Sequence, residues 1–172
     1  MIQYHYHNSK ILFIGINPHE GSYRRAVPFS NNKMFWYLLN QAGLIQEKTE
    51  DLKNDEKLKE IYEYRFNKVY QLGLVNVVDR PSKNVTLLKK GEEEPGVKNI
   101  TSIIRVYKPP VVCFVGKVTY QKFSGIKEVS FGWQPDLFES KMYVMHFPLR
   151  GEASVRIEEL REVASYAFAS RR

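Results

Sequence analysis

Lys10-Ile11-Leu12-Phe13-Ile14-Gly15-Ile16, followed at once by Asn17-Pro18, is the stretch on which the fold turns. It is apolar at successive positions, rich in β-branched residues, and too short for an ordinary helix. That combination reads as a strand buried on both faces, and a strand with two apolar faces needs helices on both sides. Pro18 ends it and opens a loop over 17–31 that holds Gly21 and Pro28. Three further runs repeat the pattern: Leu72–Val78, Val111–Val115 and Met142–Phe147. They end at Asp79-Arg80-Pro81, Gly116 and Pro148, residues that cannot easily extend a ladder.

Between the runs the apolar period changes to that of a helix. Phe35, Leu38, Leu39 and Ala42 share one face, with Gly43 at its end. Leu58, Ile61, Tyr62, Phe66 and Val69 predict a helix over 58–70, and Val97, Ile100, Ile103, Ile104 and Tyr107 another over 97–107, stopped by Pro109-Pro110. A short helix is expected over 117–123, and a longer one over 153–169 through Val155, Leu160, Val163, Ala164 and Ala167. The mostly charged 46–60 reads as a solvated helix or loop, 88–96 as a mobile surface loop, 125–140 as turns, and the start, with His5 and His7, as frayed. Strands alternating with amphipathic helices give an α/β domain with a mainly parallel central sheet, and 172 residues suit one domain, 1–172.

In such sheets ligands bind beyond the carboxyl ends of the strands. The informative residues are therefore Asn17 and the loop behind it, Asn76 to Pro81, Gly116-Lys117, and His146 to Arg156. Asn17 either faces the crevice or caps a turn before Pro18, and spacing alone favours the cap. Phe29 stacks on a flat ligand or anchors its loop. Asn76 is a polar residue inside an apolar run; buried, it needs partners, because an unpaired amide costs about 1–3 kcal/mol. The passage from His146 into the last helix carries Arg150, Ser154 and Arg156 near a helix N-terminus, which suits phosphate.

The chain has 26 Lys and Arg against 19 Asp and Glu, a net of +7. That charge alone leaves a nucleic-acid partner an even bet. Cys113 is the single cysteine, which excludes a disulfide framework and any cysteine-ligated zinc or iron–sulfur site. It lies within an apolar strand and reads as packing. No run of about 18 apolar residues is present, and the start lacks the order of a secretory leader, so a soluble cytoplasmic protein, nucleoid-associated if prokaryotic, is expected. No phosphate-loop or dinucleotide glycine fingerprint and no Gly-x-Ser-x-Gly elbow occurs.

Taken together, GINP at 15–18, PF at 28–29, FWYLLNQAGL at 35–44, YRF at 64–66, GLVNVVDRPS at 73–82, VCFVGKVTYQKFSG at 112–125 and PLRGEASVRIEEL at 148–160 resemble the mismatch-specific uracil/thymine DNA glycosylases of the uracil-DNA glycosylase superfamily. The resemblance implies a three-layer α/β/α domain with a short, mainly parallel sheet. It implies hydrolysis of the N-glycosidic bond of a base flipped out of mismatched or damaged double-stranded DNA, uracil opposite guanine as the default, without cofactor or metal and by a monomer. It gives Asn17 the catalytic role and Phe29 the stacking role. Ile16, Asn76 and His146 become base contacts, and Leu149, Arg150, Gly151, Ser154, Arg156, Lys117 and Arg80 DNA contacts, with Leu149 or Arg150 filling the gap left by the flipped base. His19 stands where the family usually has Gly, and the last loop departs from the family's Asn-Pro-Ser-Gly-Leu-Ser. A non-catalytic lesion-binding relative, and an unrelated α/β enzyme on a phosphate ester, are the rival readings.

Overall fold

A computed structural model describes residues 1–149 and 151–169. Arg150 lies outside the described residues. Five strands form one sheet in the order β2-β1-β3-β5-β4: β1 (Ile11–Gly15), β2 (Leu72–Asn76), β3 (Val111–Val115), β4 (Gly132–Leu137) and β5 (Ser140–Met145). β1, β2, β3 and β5 run parallel, and β4 is antiparallel to β5. The helices are α1 (Glu20–Arg25), α2 (Met34–Gln41), α3 (Thr49–Lys53), α4 (Asp55–Ile61), α5 (Glu94–Tyr107), α6 (Lys117–Ser124) and α7 (Ala153–Ala169).

The alternation of side chains along each strand builds two cores. Ile11 and Phe13 of β1, with Val111, Cys113 and Val115 of β3, pack under α2, α3, α4 and α7. Leu12 and Ile14, with Val112 and Phe114, pack under α5 and α6. Every residue of β1, β2 and β3 is buried, which is why these strands read as unbroken apolar runs. The largest buried side chain, Trp36, joins Phe35, Tyr62 and Phe66 in an edge-to-face cluster and donates its indole N–H to the Pro28 carbonyl at 2.9 Å. Burial of such a ring stabilises by about 2–3 kcal/mol, and here it also pins the loop that carries Phe29.

The three-layer α/β/α architecture agrees with the sequence reading, and five details differ. The region read as turns contains β4. It is an edge strand with exposed alternate positions, and Pro135 is tolerated there because an edge leaves an amide unpaired. The predicted helix over 58–70 is α4 followed by a single π-helical turn, Tyr62–Phe66. The stretch read as a loop over 88–96 already contains the start of α5, with Pro95 in its first turn. The loop over 17–31 contains α1, whose N-cap His19 accepts from the Gly21 N–H at 3.0 Å.

The N-terminus is not frayed. Ile2 is buried, the Leu74 N–H donates to the His5 carbonyl at 2.9 Å, and the Tyr62 hydroxyl donates to the Gln3 carbonyl at 2.6 Å. The segment lies along β2 and covers that edge of the sheet.

Candidate active site

A cleft of about 620 Å³ opens at the carboxyl ends of the parallel strands. Its walls come from segments far apart in sequence: Ile16 to His19 after β1, Phe29 to Asn32, Asn76 at the end of β2, Ser82 to Val85, Val115 to Thr119 where β3 passes into α6, and Phe147 to Leu149 after β5. Of the residues singled out from sequence, Ile16, Asn17, His19, Phe29, Asn76, Lys117 and Leu149 all line it.

The Asn17 carboxamide has a fixed direction. Its Nδ2 donates to Ser82 Oγ at 2.8 Å and to the Arg80 carbonyl at 3.0 Å. Ser82 Oγ has one proton and gives it to the Asn84 carbonyl at 2.8 Å, so it can only accept from Asn17. The amide nitrogen therefore faces the loop after β2, and Oδ1 is left for the cleft. Asn17 is more than a turn cap.

Phe29 is also fixed. It has φ +56°, the left-handed region that side-chain-bearing residues rarely occupy, a conformation that costs about 1–2 kcal/mol. One ring face stacks on Phe35 with centroids 4.5 Å apart. The surrounding turn is locked: Ser22 Oγ accepts from the Ser30 and Asn31 N–H groups at 3.1 and 2.9 Å, and Ser30 Oγ donates to the Val27 carbonyl at 2.7 Å.

Gly15 lies between Phe29 and Asn76. A Cβ there would stand 2.3 Å from Asn76 Oδ1 and 3.1 Å from Phe29 Cζ. Asn76 is buried, and its Nδ2 donates to the Tyr4 hydroxyl at 3.0 Å. A stacking ring, two oriented carboxamides and a cleft at the strand ends are thus one constellation. Residues 2–161 match the Uracil DNA glycosylase superfamily. The chain belongs to that superfamily. It is also 25% identical over 172 residues, 94% of this chain and 50% of the other, to a Schizosaccharomyces pombe protein named G/U mismatch-specific uracil DNA glycosylase. The chain spans about half the length of that curated relative.

Within this superfamily fold, other expected contacts point elsewhere. His146 is turned away from the cleft: its backbone N–H donates to Glu159 Oε1 at 3.0 Å, its Nδ1 is 2.9 Å from Glu159 Oε2, and its ring stacks on Phe131. Its assignment as a base contact is corrected to a brace of the last loop. Arg156 is buried; its Nε donates to the Phe147 carbonyl at 2.7 Å and its Nη1 to the Glu152 carbonyl at 3.1 Å. Those bonds shape the loop from within, so the expected outward phosphate contact is corrected to a structural one.

The Arg80 guanidinium faces Glu92 with two bonds, 2.7 and 2.8 Å, and holds that carboxyl down at about 2. Arg80 is therefore a paired cation and not a free one. Lys117 has its ammonium 4.4 Å from the Phe131 ring centroid while its residue lines the cleft. Gly151 has φ +92° and Ser154 is exposed at the start of α7; neither lines the cleft. Leu149, half exposed at the loop apex, does. Among the described residues no group of three His, Cys, Asp or Glu could hold a metal ion. Burial, and then nearby Glu159, pushes the Cys113 thiol well up, which suits packing and not nucleophilic attack.

Sequence reasoning gave no role to Tyr4, Ser82 or Gly15. Gly15 and Ser82 stand in the quoted stretches GINP and GLVNVVDRPS, but nothing in one dimension shows that they meet Asn76 and Asn17. Tyr4 lay in a stretch read as frayed.

Proposed function

We propose that the chain is a monofunctional DNA glycosylase that flips a mispaired or damaged base, uracil opposite guanine first, out of duplex DNA and hydrolyses its N-glycosidic bond. The convergence of Asn17 Oδ1, Asn76 and the free side of Phe29 on one cleft carries this reading. The base would stack on Phe29 and meet Asn76 at its edge. Breaking the bond leaves an oxocarbenium-like sugar and an anionic base, so the site must stabilise developing charge and hold a water at the sugar. Asn17 Oδ1 can accept from that water and aim it. An amide has no basic site near pH 7, so positioning and electrostatics carry the rate and turnover is modest. Extrusion costs a few kcal/mol, least at a mismatch, which favours G·U over A·U.

The test is a fluorescent duplex with one G·U pair, incubated with the protein, treated with alkali and sized on a gel. A cleaved strand only after alkali is expected; binding without cleavage would replace the enzyme by the lesion-binding reading. Uracil, thymine, hypoxanthine and ethenocytosine duplexes run side by side rank the bases.

Leu149, which lines the cleft, is our candidate for filling the gap; Arg150, the other candidate, lies outside the described residues. Leu149→Ala is expected to lower excision from duplex about tenfold, a loss of one buried apolar wedge, and to leave single-stranded substrate nearly unchanged. Equal losses on both would remove Leu149 from duplex opening. Because Arg80 and Arg156 are engaged within the protein, the affinity for DNA should fall with salt as only a few phosphate contacts require.

A further inference from the structure

Two loops form one wall of the cleft and are fastened to each other. The Ser82 N–H donates to the Pro18 carbonyl at 3.1 Å, Asn17 Nδ2 donates to Ser82 Oγ at 2.8 Å, and His19 pairs with Ser82 in an isolated parallel bridge. Ser82 Oγ in turn donates to the Asn84 carbonyl. The backbone that carries His19 on one loop and Lys83 on the other is therefore fixed, and both residues line the cleft. His19 is half-buried and Lys83 exposed, so this wall belongs to the mouth of the cleft, whereas the buried Asn76 belongs to its floor.

The polarity of the His19 ring is set by its cap. Nδ1 accepts from the Gly21 N–H at 3.0 Å, so that nitrogen holds a lone pair and the ring proton is on Nε2. Nε2–H points away from the Gly21 N–H, and His19 has a donor and no acceptor left to offer. Among the described residues Lys83 has no partner within the protein. It differs in this from Arg80, which Glu92 engages, and from Lys117, whose ammonium lies over Phe131. No described Asp or Glu lines the cleft; Asp79 and Glu92 line a second hollow instead. Donors with no carboxylate to compete for them select an anion.

We infer that these bridged loops are the phosphate-binding wall of the cleft: His19 Nε2–H and the Lys83 ammonium hold backbone phosphates that flank the extruded nucleotide. This rests on the reading of the cleft as the receptor for a flipped base. A base stacked on Phe29 leaves its sugar and the phosphates on either side of it at the mouth, where these two donors stand. Phosphodiester oxygens only accept, and they bring the negative charge that this wall lacks.

The two residues should leave different signatures in binding. The probe is a duplex with one G·U pair whose uracil nucleotide carries a 2′-fluorine, which disfavours a cationic sugar and so stops hydrolysis; its affinity is measured over a range of salt. Lys83→Met keeps the stem and removes the charge. It is expected to weaken binding about tenfold at low salt and to reduce the slope of log affinity against log salt by about one. His19→Ser keeps an acceptor for the Gly21 N–H and removes the ring donor. A neutral donor displaces no counterion, so affinity should fall about fivefold at every salt concentration with the slope unchanged. A histidine that only capped α1 would lose nothing in this variant.

Uncharged methylphosphonates, placed singly at the phosphates around the uracil, identify the group held by Lys83: at one of them Lys83→Met should no longer weaken binding. An unchanged slope in Lys83→Met, full affinity in His19→Ser, or a Lys83→Met effect that survives every methylphosphonate overturns the inference. A parent protein that binds this duplex but excises no base from unmodified G·U DNA would defeat the glycosylase reading alone, because the phosphate wall is read from affinity.

Discussion

Replacing Asn17 by alanine is expected to lower single-turnover excision of uracil by about a hundredfold to a thousandfold, the range for losing one oriented polar group at a reacting centre, while affinity for the same duplex changes little. The side chain makes its bonds to Ser82 and Arg80 on one side and offers Oδ1 to the cleft on the other. Alanine removes the oxygen that the proposed reaction uses to hold water and leaves the Arg80 carbonyl short of a donor, so stability should fall by about 1 kcal/mol. Aspartate is not a conservative substitute. Its two oxygens would confront the Ser82 oxygen and the Arg80 carbonyl, both of which accept from Asn17, and Asn17→Asp should melt below Asn17→Ala. Rapid-quench kinetics with a gel-shift control separate chemistry from binding. Full excision by Asn17→Ala would remove Asn17 from the chemistry.

The largest stability effect is expected at Gly96. A Cβ there would stand 1.6 Å from the Val77 carbonyl oxygen and 2.7 Å from its carbon. These are backbone atoms, and they cannot retreat, because the Val77 and Val78 N–H groups donate to the Gly15 and Ile16 carbonyls at 2.9 and 2.7 Å. Gly96→Ala must therefore lift α5, whose Ile100, Ile103 and Ile104 are core residues. Overpacking against an unyielding neighbour costs about 3 kcal/mol, which for a domain of this size is a fall of about 6–12 °C in melting temperature. An unchanged thermal melt would mean that α5 has room the packing does not show.

The sheet was legible because its parallel strands bury both faces, and runs as short and as rich in β-branched residues as ILFIG and VVCFV favour a strand between helices over a buried helix. The edge strand β4 was not, since its exposed alternate residues, with Gly132 and Pro135, carry the signals of turns. The same division runs through the site. Asn17, Phe29 and Asn76 were visible from their places after strands and from the motifs around them.

Their orientations were not visible. Each is set by a partner distant in sequence: Ser82 for Asn17, Tyr4 for Asn76, Phe35 and Ser22 for the turn of Phe29. His146 and Arg156 were misplaced for a related reason. A histidine after a strand and an arginine in the first turns of a helix look available in one dimension, yet Glu159 and the carbonyls of Phe147 and Glu152 engage them.

The left-handed backbone at Phe29 has a consequence for how a base would be received. The strain is met once, during folding, by the hydrogen bonds of Ser22 and Ser30 and by the stack on Phe35. Little conformational freedom remains in the platform to be lost on encounter, so docking an extruded base should be limited by the freedom of the nucleotide and not of the protein. In that sense the receptor is preorganised. Loosening the turn with Ser22→Ala, a change to a buried residue at the edge of the cleft, should appear as a larger entropic penalty in calorimetry of duplex binding, with the stacking contact itself intact.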